Sequence, residues 1–242
     1  MESKLDILVI GAHPDDVELG AGGLIAQEVK KGKKIGIIDL TAGELGTRGT
    51  KILRALEAQN AGEILGITLR KQLNIRDGWI NPYDEAQKLK LITAIRTYQP
   101  TIIIGTAPKD RHPDHANAHQ LITEASFLAG LRKIATVSNE GMPQQPFRPQ
   151  NIFYYMQFLH LKPDFIYDIS DVFDLKLKSI QAHTSQFFNP ESDEPETLIA
   201  SKNYFESITA RAKEYGMQIG VEYGEPFFVN KTLGLSSLDA VL

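Results

Sequence analysis

The sequence predicts an α/β architecture: a mostly parallel sheet covered by helices on both faces. Three observations carry this reading. Strand-like and helix-like segments alternate strictly through the first half of the 242 residues, as parallel α/β sheets require. The strand-like runs are short, apolar and largely β-branched without polar alternation, the pattern of strands buried on both faces. The helical stretches close on lysine, glycine or proline, which are helix stop signals.

Taken in order, "LDILVIGA" (5–12) is the first strand and "VELGAGGLIAQEVKKG" (17–32) the first helix, ending in Lys and Gly. "KKIGIIDL" (33–40) gives a second strand and "KILRALEAQNAGEILG" (51–66) a second helix, stopped by Gly66. "TLRKQLNI" (68–75) reads as the third strand, and "DEAQKLKLITAIRTYQ" (84–99) as a helix closed by Pro100. "TIIIGTA" (101–107) is a fourth, fully buried strand, followed by a helix from Asp114 to Leu131. The second half is less regular. "GMPQQPFRPQ" (141–150) reads as an exposed loop, "NIFYYMQF" (151–158) and "DFIYDI" (164–169) as strands. "DLKLKSIQAHTSQF" (174–187) and "TLIASKNYFESITARAKEYG" (197–216) read as helices around an acidic loop. No repeat or linker divides the chain, so one domain over 1–242 is expected.

Composition narrows the function. Hydrophobic content of 42% and 23% charged residues are ordinary for a soluble globular chain. A net charge of −4 offers no general attraction for nucleic acid or an anionic membrane, so neither partner is expected. No apolar run reaches the roughly 18 residues of a membrane span, and the N-terminus lacks a signal-peptide pattern. With no cysteine there are neither disulfides nor thiolate metal sites, and a cytoplasmic location is the simplest reading.

The chemistry concentrates where two loops should meet. In a doubly wound, Rossmann-like sheet, strand 4 lies beside strand 1, and ligands bind between their carboxyl ends. "AHPDD" follows strand 1, and "APKDRHPDHANAH" follows strand 4. Three of the six histidines fall in that second loop, opposite a His/Asp/Asp cluster. A dinucleotide is disfavoured, because the first turn carries two carboxylates instead of a glycine fingerprint and would repel a phosphate. Asp39 ends strand 2 where a ribose-binding acid would stand, but an exposed strand-end acid is the simpler reading. "GAGG" (20–23) is read as close helix packing.

A divalent cation relieves the repulsion, and imidazole with carboxylate ligands suits zinc. His13, Asp16 and His115 form a three-ligand set with one position left open. Asp15 is then free to act as a general base. His112 would face the substrate, protonated, with Asp114 orienting its ring. One ion per chain is expected, and the sequence does not separate Zn2+ from Fe2+.

"AHPDDVELGAGG", "DLTAGELGTRGT" and "DRHPDHANAH" resemble the PIG-L (LmbE-like) deacetylases, zinc hydrolases that remove acetyl from N-acetylglucosamine conjugates. "ELGTRGT", "FLAGLRKI", "KPDFIYDIS" and "SQF" are similar to the bacillithiol-biosynthesis branch, the N-acetylglucosaminyl-malate deacetylases. The resemblance implies His13, Asp16 and His115 as zinc ligands, Asp15 as base, and His112 as stabiliser or acid supported by Asp114. It implies Arg54 and Asp77 as sugar-holding residues, a small sugar conjugate as substrate, and a homo-oligomer, trimeric or hexameric. The tyrosine that some relatives carry just before the histidine pair is replaced by Asp110 and Arg111; Tyr155 or Arg111 would have to substitute.

Simpler readings compete at several positions. His119 is the rival ligand, assigned to a supporting or surface role, while His160 and His183 read as surface residues. Glu44 either lines the site or caps its glycine-rich turn. Arg48, Arg54, Arg111 and Arg132 are the candidate partners for malate carboxylates. The competing functions are a general N-acetylglucosamine or chito-oligosaccharide deacetylase and a catalytically idle metal- or sugar-binding protein of the same fold. A phosphoesterase would call for two metals and more carboxylates.

Overall fold

The computed structural model describes residues 4–237 and 241. β1 (Ile7–Gly11) leads to α1 (Asp16–Lys30), β2 (Ile35–Asp39), α2 (Lys51–Leu65), β3 (Leu69–Gln72) and α3 (Glu85–Tyr98). β4 (Ile102–Gly105), α4 (Pro113–Leu128), β5 (Asn151–Tyr155), β6 (Phe165–Asp168), α5 (Phe173–Gln181), α6 (Lys202–Ile219) and β7 (Gly224–Val229) follow. The strands make one sheet in the order β3-β2-β1-β4-β5-β7-β6. β1 to β5 pair in parallel, and the expected neighbourhood of β1 and β4 holds, with Val9 opposite Ile104.

Strand β7 is an addition to the elements expected from the sequence. It runs antiparallel between β5 and β6. Its sequence "GEPFFV" carries Pro226 inside the strand, and a proline without an N–H argues against a central strand. The structure accommodates it near the end of the ladder, where Pro226 still accepts from Met156 N at 3.4 Å through its carbonyl. Helix α6 also starts later than the expected 197, at Lys202, where Ser201 caps Tyr204 N.

Alternate residues of each central strand enter opposite cores, as a period of two dictates. Leu8, Ile10, Ile38 and Ile103 pack with Leu91, Ile95 and Leu121 of α3 and α4. Ile7, Val9, Ile37 and Ile104 pack with Val17, Leu24 and Ile25 of α1 and with Phe173 of α5. Burying one such side chain contributes about 1.5–3 kcal/mol.

The packing of α1 on the sheet explains "GAGG". A Cβ on Gly20 would lie 2.1 Å from the Tyr155 ring, and one on Gly23 would lie 2.6 Å from Ile169. The Glu225 carboxylate of β7 accepts from Gly23 N (2.8 Å) and Leu24 N (2.7 Å), and it pairs with buried Lys176 of α5. These contacts fix the helix whose first turn carries Asp15 and Asp16. No helix among the described residues is long and apolar enough to cross a membrane.

Candidate metal centre

The loops after β1, β2, β3 and β4 converge at the carboxyl end of the sheet around a cavity of about 240 Å3. His13, Asp15, Asp16, Arg54, Asp77, His112 and His115 all line it. All of these except His112 are buried.

Asp16 is the hinge of the centre. His13 Nδ1 lies 3.3 Å from Asp16 Oδ2, and His115 Nε2 lies 3.2 Å from Asp16 Oδ1. Ligands held tetrahedrally at about 2.0–2.1 Å from a cation are spaced by roughly 3.3 Å, and each imidazole stands at that spacing from one Asp16 oxygen, a different oxygen for each. The carboxylate is held by two further donors, His13 N at 2.8 Å and Gln157 Nε2 at 2.6 Å. Burial opposes its charge, yet the two imidazoles hold Asp16 well below the usual carboxylate range.

Outer carboxylates orient both imidazoles, as metal-binding histidines usually require. Asp110 Oδ1 lies 3.0 Å from His115 Nδ1, while its Oδ2 accepts from Phe158 N at 2.9 Å. Asp77 Oδ1 and Asp114 Oδ2 lie 3.1 and 3.4 Å from His13 Nε2. Burial disfavours a charge on His115, but Asp16 and Asp110 outweigh it and push the imidazole up to about 9. Two triads bring their donor atoms within 4.8 Å of one another, His13/His112/His115 and His13/Asp77/Asp114, and Asp16 belongs to neither. The second is committed elsewhere, since Asp77 Oδ2 accepts from Leu45 N (2.8 Å) and Asp114 Oδ2 from Gly78 N (2.8 Å). In the first, His112 Nδ1 accepts from Asp114 N at 3.2 Å. Asp16 bridges His13 and His115, one imidazole on each of its carboxylate oxygens.

Asp15 stands at the head of α1 with φ 106°, left-handed backbone that an aspartate adopts at a cost. Its carboxylate makes no cap, and Oδ2 instead receives Arg54 Nη2 at 3.0 Å. Burial pushes Asp15 up to about 6, although Arg54 pulls the other way. A buried, ionisable carboxylate poised near neutrality beside a metal site has the properties of a general base.

A model of the PIG-L family, described as GlcNAc-PI de-N-acetylase, matches residues 8–126. The diacetylchitobiose deacetylase of Thermococcus kodakarensis is 33% identical over 191 residues, covering 75% of this chain and 70% of that protein. The chain belongs to the PIG-L family of de-N-acetylases. Similarity of fold reaches well beyond the residues that the family model matches. The conserved protein TT1542 from Thermus thermophilus superposes with a TM-score of 0.84 and 35% identity, over 96% of this chain and 98% of that one. A Bacillus subtilis relative named "Probable N-acetyl-alpha-D-glucosaminyl L-malate deacetylase 2" is 28% identical, over 76% of this chain and 84% of its own length.

Within this PIG-L site several expected roles move. Asp114 does not orient the His112 ring: its carboxylate serves His13 and Gly78 N, and its backbone N–H donates to His112. His112 is the N-cap of α4, so its Nδ1 is an acceptor and its proton sits on Nε2. Burial, then the neighbouring His13 and His115, lower its pKa, so the structure gives a neutral donor where a protonated ring was expected. Arg54 places its guanidinium on Asp15 Oδ2, Pro14 O (2.9 Å) and Gly43 O (2.6 Å) while it also lines the cavity. Asp77 contacts His13 and accepts from Leu45 N.

The arginine candidates divide. Arg48 is buried against Ser192 and Glu194, and Arg132 is exposed beyond the far end of α4, away from the loops that form the centre. Arg111 lines the cavity, stacked 4.8 Å over Phe158. Tyr155 cannot assist there, being wholly buried with its hydroxyl on Ile10 O. Glu44 caps its turn, accepting from Ala42 N and Asp77 N. His119 turns away to Thr106 O and Tyr154. His160 is exposed as read, but His183 is fully buried, with Nε2 3.4 Å from Glu18 Oε2. Asp39 is also buried rather than exposed, holding Arg70 through both oxygens (2.7 and 2.8 Å).

Proposed function

We propose that this chain hydrolyses the acetamide of an N-acetylglucosamine conjugate with His13, Asp16 and His115 holding a divalent cation, preferentially zinc. The observation that carries the reading is the Asp16 carboxylate shared between two imidazoles, with Asp15 beside it. When bound, the cation supplies Lewis-acid polarisation of the acetyl carbonyl. Asp15 takes a proton from the attacking water as the water oxygen bonds to the acetyl carbon. His112 Nε2–H donates to the oxygen that gains negative charge. The C–N bond then breaks, Asp15 returns the proton to the departing nitrogen, and acetate and a free amine result. The intact base opposes the idle-protein alternative.

The finer substrate reading is N-acetylglucosaminyl-malate. It is supported by the Bacillus subtilis relative and by Arg111 at the cavity wall. A general chito-oligosaccharide deacetylase is the second reading, favoured by the Thermococcus relative. Acetate release from N-acetylglucosaminides, before and after chelation, is the test. Release that survives complete metal removal, or no release from any of them, sinks the proposal.

The chain is further read as one domain working in the cytoplasm as a homo-oligomer, trimeric or hexameric. Exposed Leu45, Ile52, Leu56, Trp79 and Tyr83 on and beside α2 support self-association. Light scattering of the purified chain would measure it, and a monomer would end that reading.

A further inference from the structure

A second cavity, of about 640 Å3, adjoins the metal centre. Leu19, Gln157, Phe158 and Tyr204 wall both, so a sugar reacting at the centre has room beside it for whatever it carries. The larger space lies between α6 and the strand ends, and Arg211 of α6 lines it.

Arg211, half-buried, is chemically unlike the buried cations. Arg54, Arg70 and Lys176 each have a carboxylate partner. Arg96 has its donors on three carbonyls and the Thr136 hydroxyl. Arg211 instead has a long contact to Leu159 O (3.4 Å) and the Tyr215 ring 5.9 Å away. It forms no ion pair among the described residues. Burial lowers its pKa most, opposed by the phenols of Tyr215 and Tyr204, by a hydrogen bond to Tyr215 and by Asp110, none of which outweighs it. Two acids share that wall, but Glu225 is paired with Lys176, and Glu214 is exposed and turned to His160 at 4.0 Å. A guanidinium at a cavity wall with no carboxylate in ion-pair contact is suited to a carboxylate, which it grips through two parallel hydrogen bonds.

We propose that the second cavity receives the aglycone and that Arg211 selects conjugates whose aglycone carries a carboxylate. The inference rests on the deacetylase reading above. Arg111, stacked on the shared Phe158, faces the same route from the catalytic side. Neutral aglycones enter the space but gain no charge-assisted bond. Binding energy from the distant carboxylate then helps hold the acetamide in place.

The test compares kcat/KM of the zinc-loaded chain for N-acetylglucosaminyl-malate, methyl N-acetylglucosaminide and N,N'-diacetylchitobiose. The wild type should favour the acid by about tenfold or more, the value of one hydrogen bond to a charged group. Arg211→Gln should collapse that ratio, mainly through KM for the acid, and Arg211→Lys should restore part of it. Ser207→Glu provides a second variant, at an exposed position one helical turn before Arg211, where its carboxylate would compete for the guanidinium. It should lower the same ratio. Equal values for the three substrates in wild type, or a ratio unchanged in Arg211→Gln and Ser207→Glu, overturns the subsite and leaves the deacetylase standing. No turnover of any substrate overturns the deacetylase reading itself.

Discussion

Arg54 Nη2 lies 3.0 Å from Asp15 Oδ2, and the same guanidinium is fastened to Pro14 O and Gly43 O. The pair links the proposed base, Asp15 at the head of α1, to the first turn of α2, where Thr50 caps the helix. Arg54 therefore sets both where the carboxylate points and how readily it ionises.

Two substitutions separate these effects. Asp15→Asn should keep fold and metal content but lose about 10²–10⁴ in kcat, the range for a general base. Arg54→Gln removes a charge that lowers the Asp15 pKa, so that pKa should rise from about 6. Its activity should be depressed most at low pH and recover as the pH increases. A pH–rate profile whose acidic limb stays in place would show that Arg54 does not tune the base. Asp15→Gly relieves the left-handed backbone at φ 106°, so it should be as inactive as Asp15→Ala, which loses the same ion pair, yet more resistant to thermal unfolding than that variant.

Metal binding should release a proton. In the metal-free protein His115 is held up at about 9, against burial, by Asp16 and Asp110. A ligand must be neutral, so the ion has to displace that proton at neutral pH. Apparent zinc affinity should therefore climb by at least about tenfold per pH unit below about 9, more steeply where His13, held against burial above its ordinary value by Asp114, Asp16 and Asp77, must lose a proton too. Competition with a chelator at several pH values measures it. Asp110→Asn weakens the hold on the proton and on the ring, and should flatten this dependence while lowering affinity by about 10–100-fold. An affinity indifferent to pH would mean that His115 is not a ligand.

The parts of this site that were legible in the sequence lie on adjacent strands. β1 and β4 had to be neighbours in a doubly wound sheet, so AHPDD and HPDH had to meet. Helix ends and buried runs follow from local pattern alone. Gln157 reaches Asp16 from 141 residues away, beyond β5, and no local pattern marks it. Asp110 did carry a signal, standing five residues before His115, but whether a loop curls back onto its own histidine depends on Phe158 N anchoring the other oxygen. Burial of Asp39 and His183 depends on cross-strand and cross-helix partners, Arg70 and Glu18, whose registers sequence spacing does not specify.

His112 has two jobs that different side chains separate. Its Nδ1 caps α4 by accepting from Asp114 N, and its Nε2–H is left for the cavity. His112→Asn preserves a capping acceptor but removes the donor, so kcat should fall about 10²–10³-fold with little change in melting temperature. His112→Ala should lose the same activity and about 1 kcal/mol of stability besides. Full activity in His112→Asn would leave the ring as a cap and nothing more.

Behind the base lies a fully buried carboxylate, Glu18, paired with Arg70 and facing His183. Burial works against its charge, but Arg70 and His183 prevail and hold Glu18 at about 2, against 4.5 ordinarily. A lowered folded-state value means that the unfolded chain takes up the proton first as pH falls. The stability that Glu18 contributes is therefore complete above about 4.5 and lost as pH falls towards 2. That difference corresponds to about 3 kcal/mol. Glu18→Gln should thus be clearly less stable than wild type in urea at pH 7 and converge with it near pH 2–3, both proteins being compared metal-free. Asp39 keeps a two-oxygen hold on Arg70 in the variant, so the fold should survive the change. A stability gap that stays constant from pH 7 to pH 3 would show that Glu18 contributes shape rather than charge.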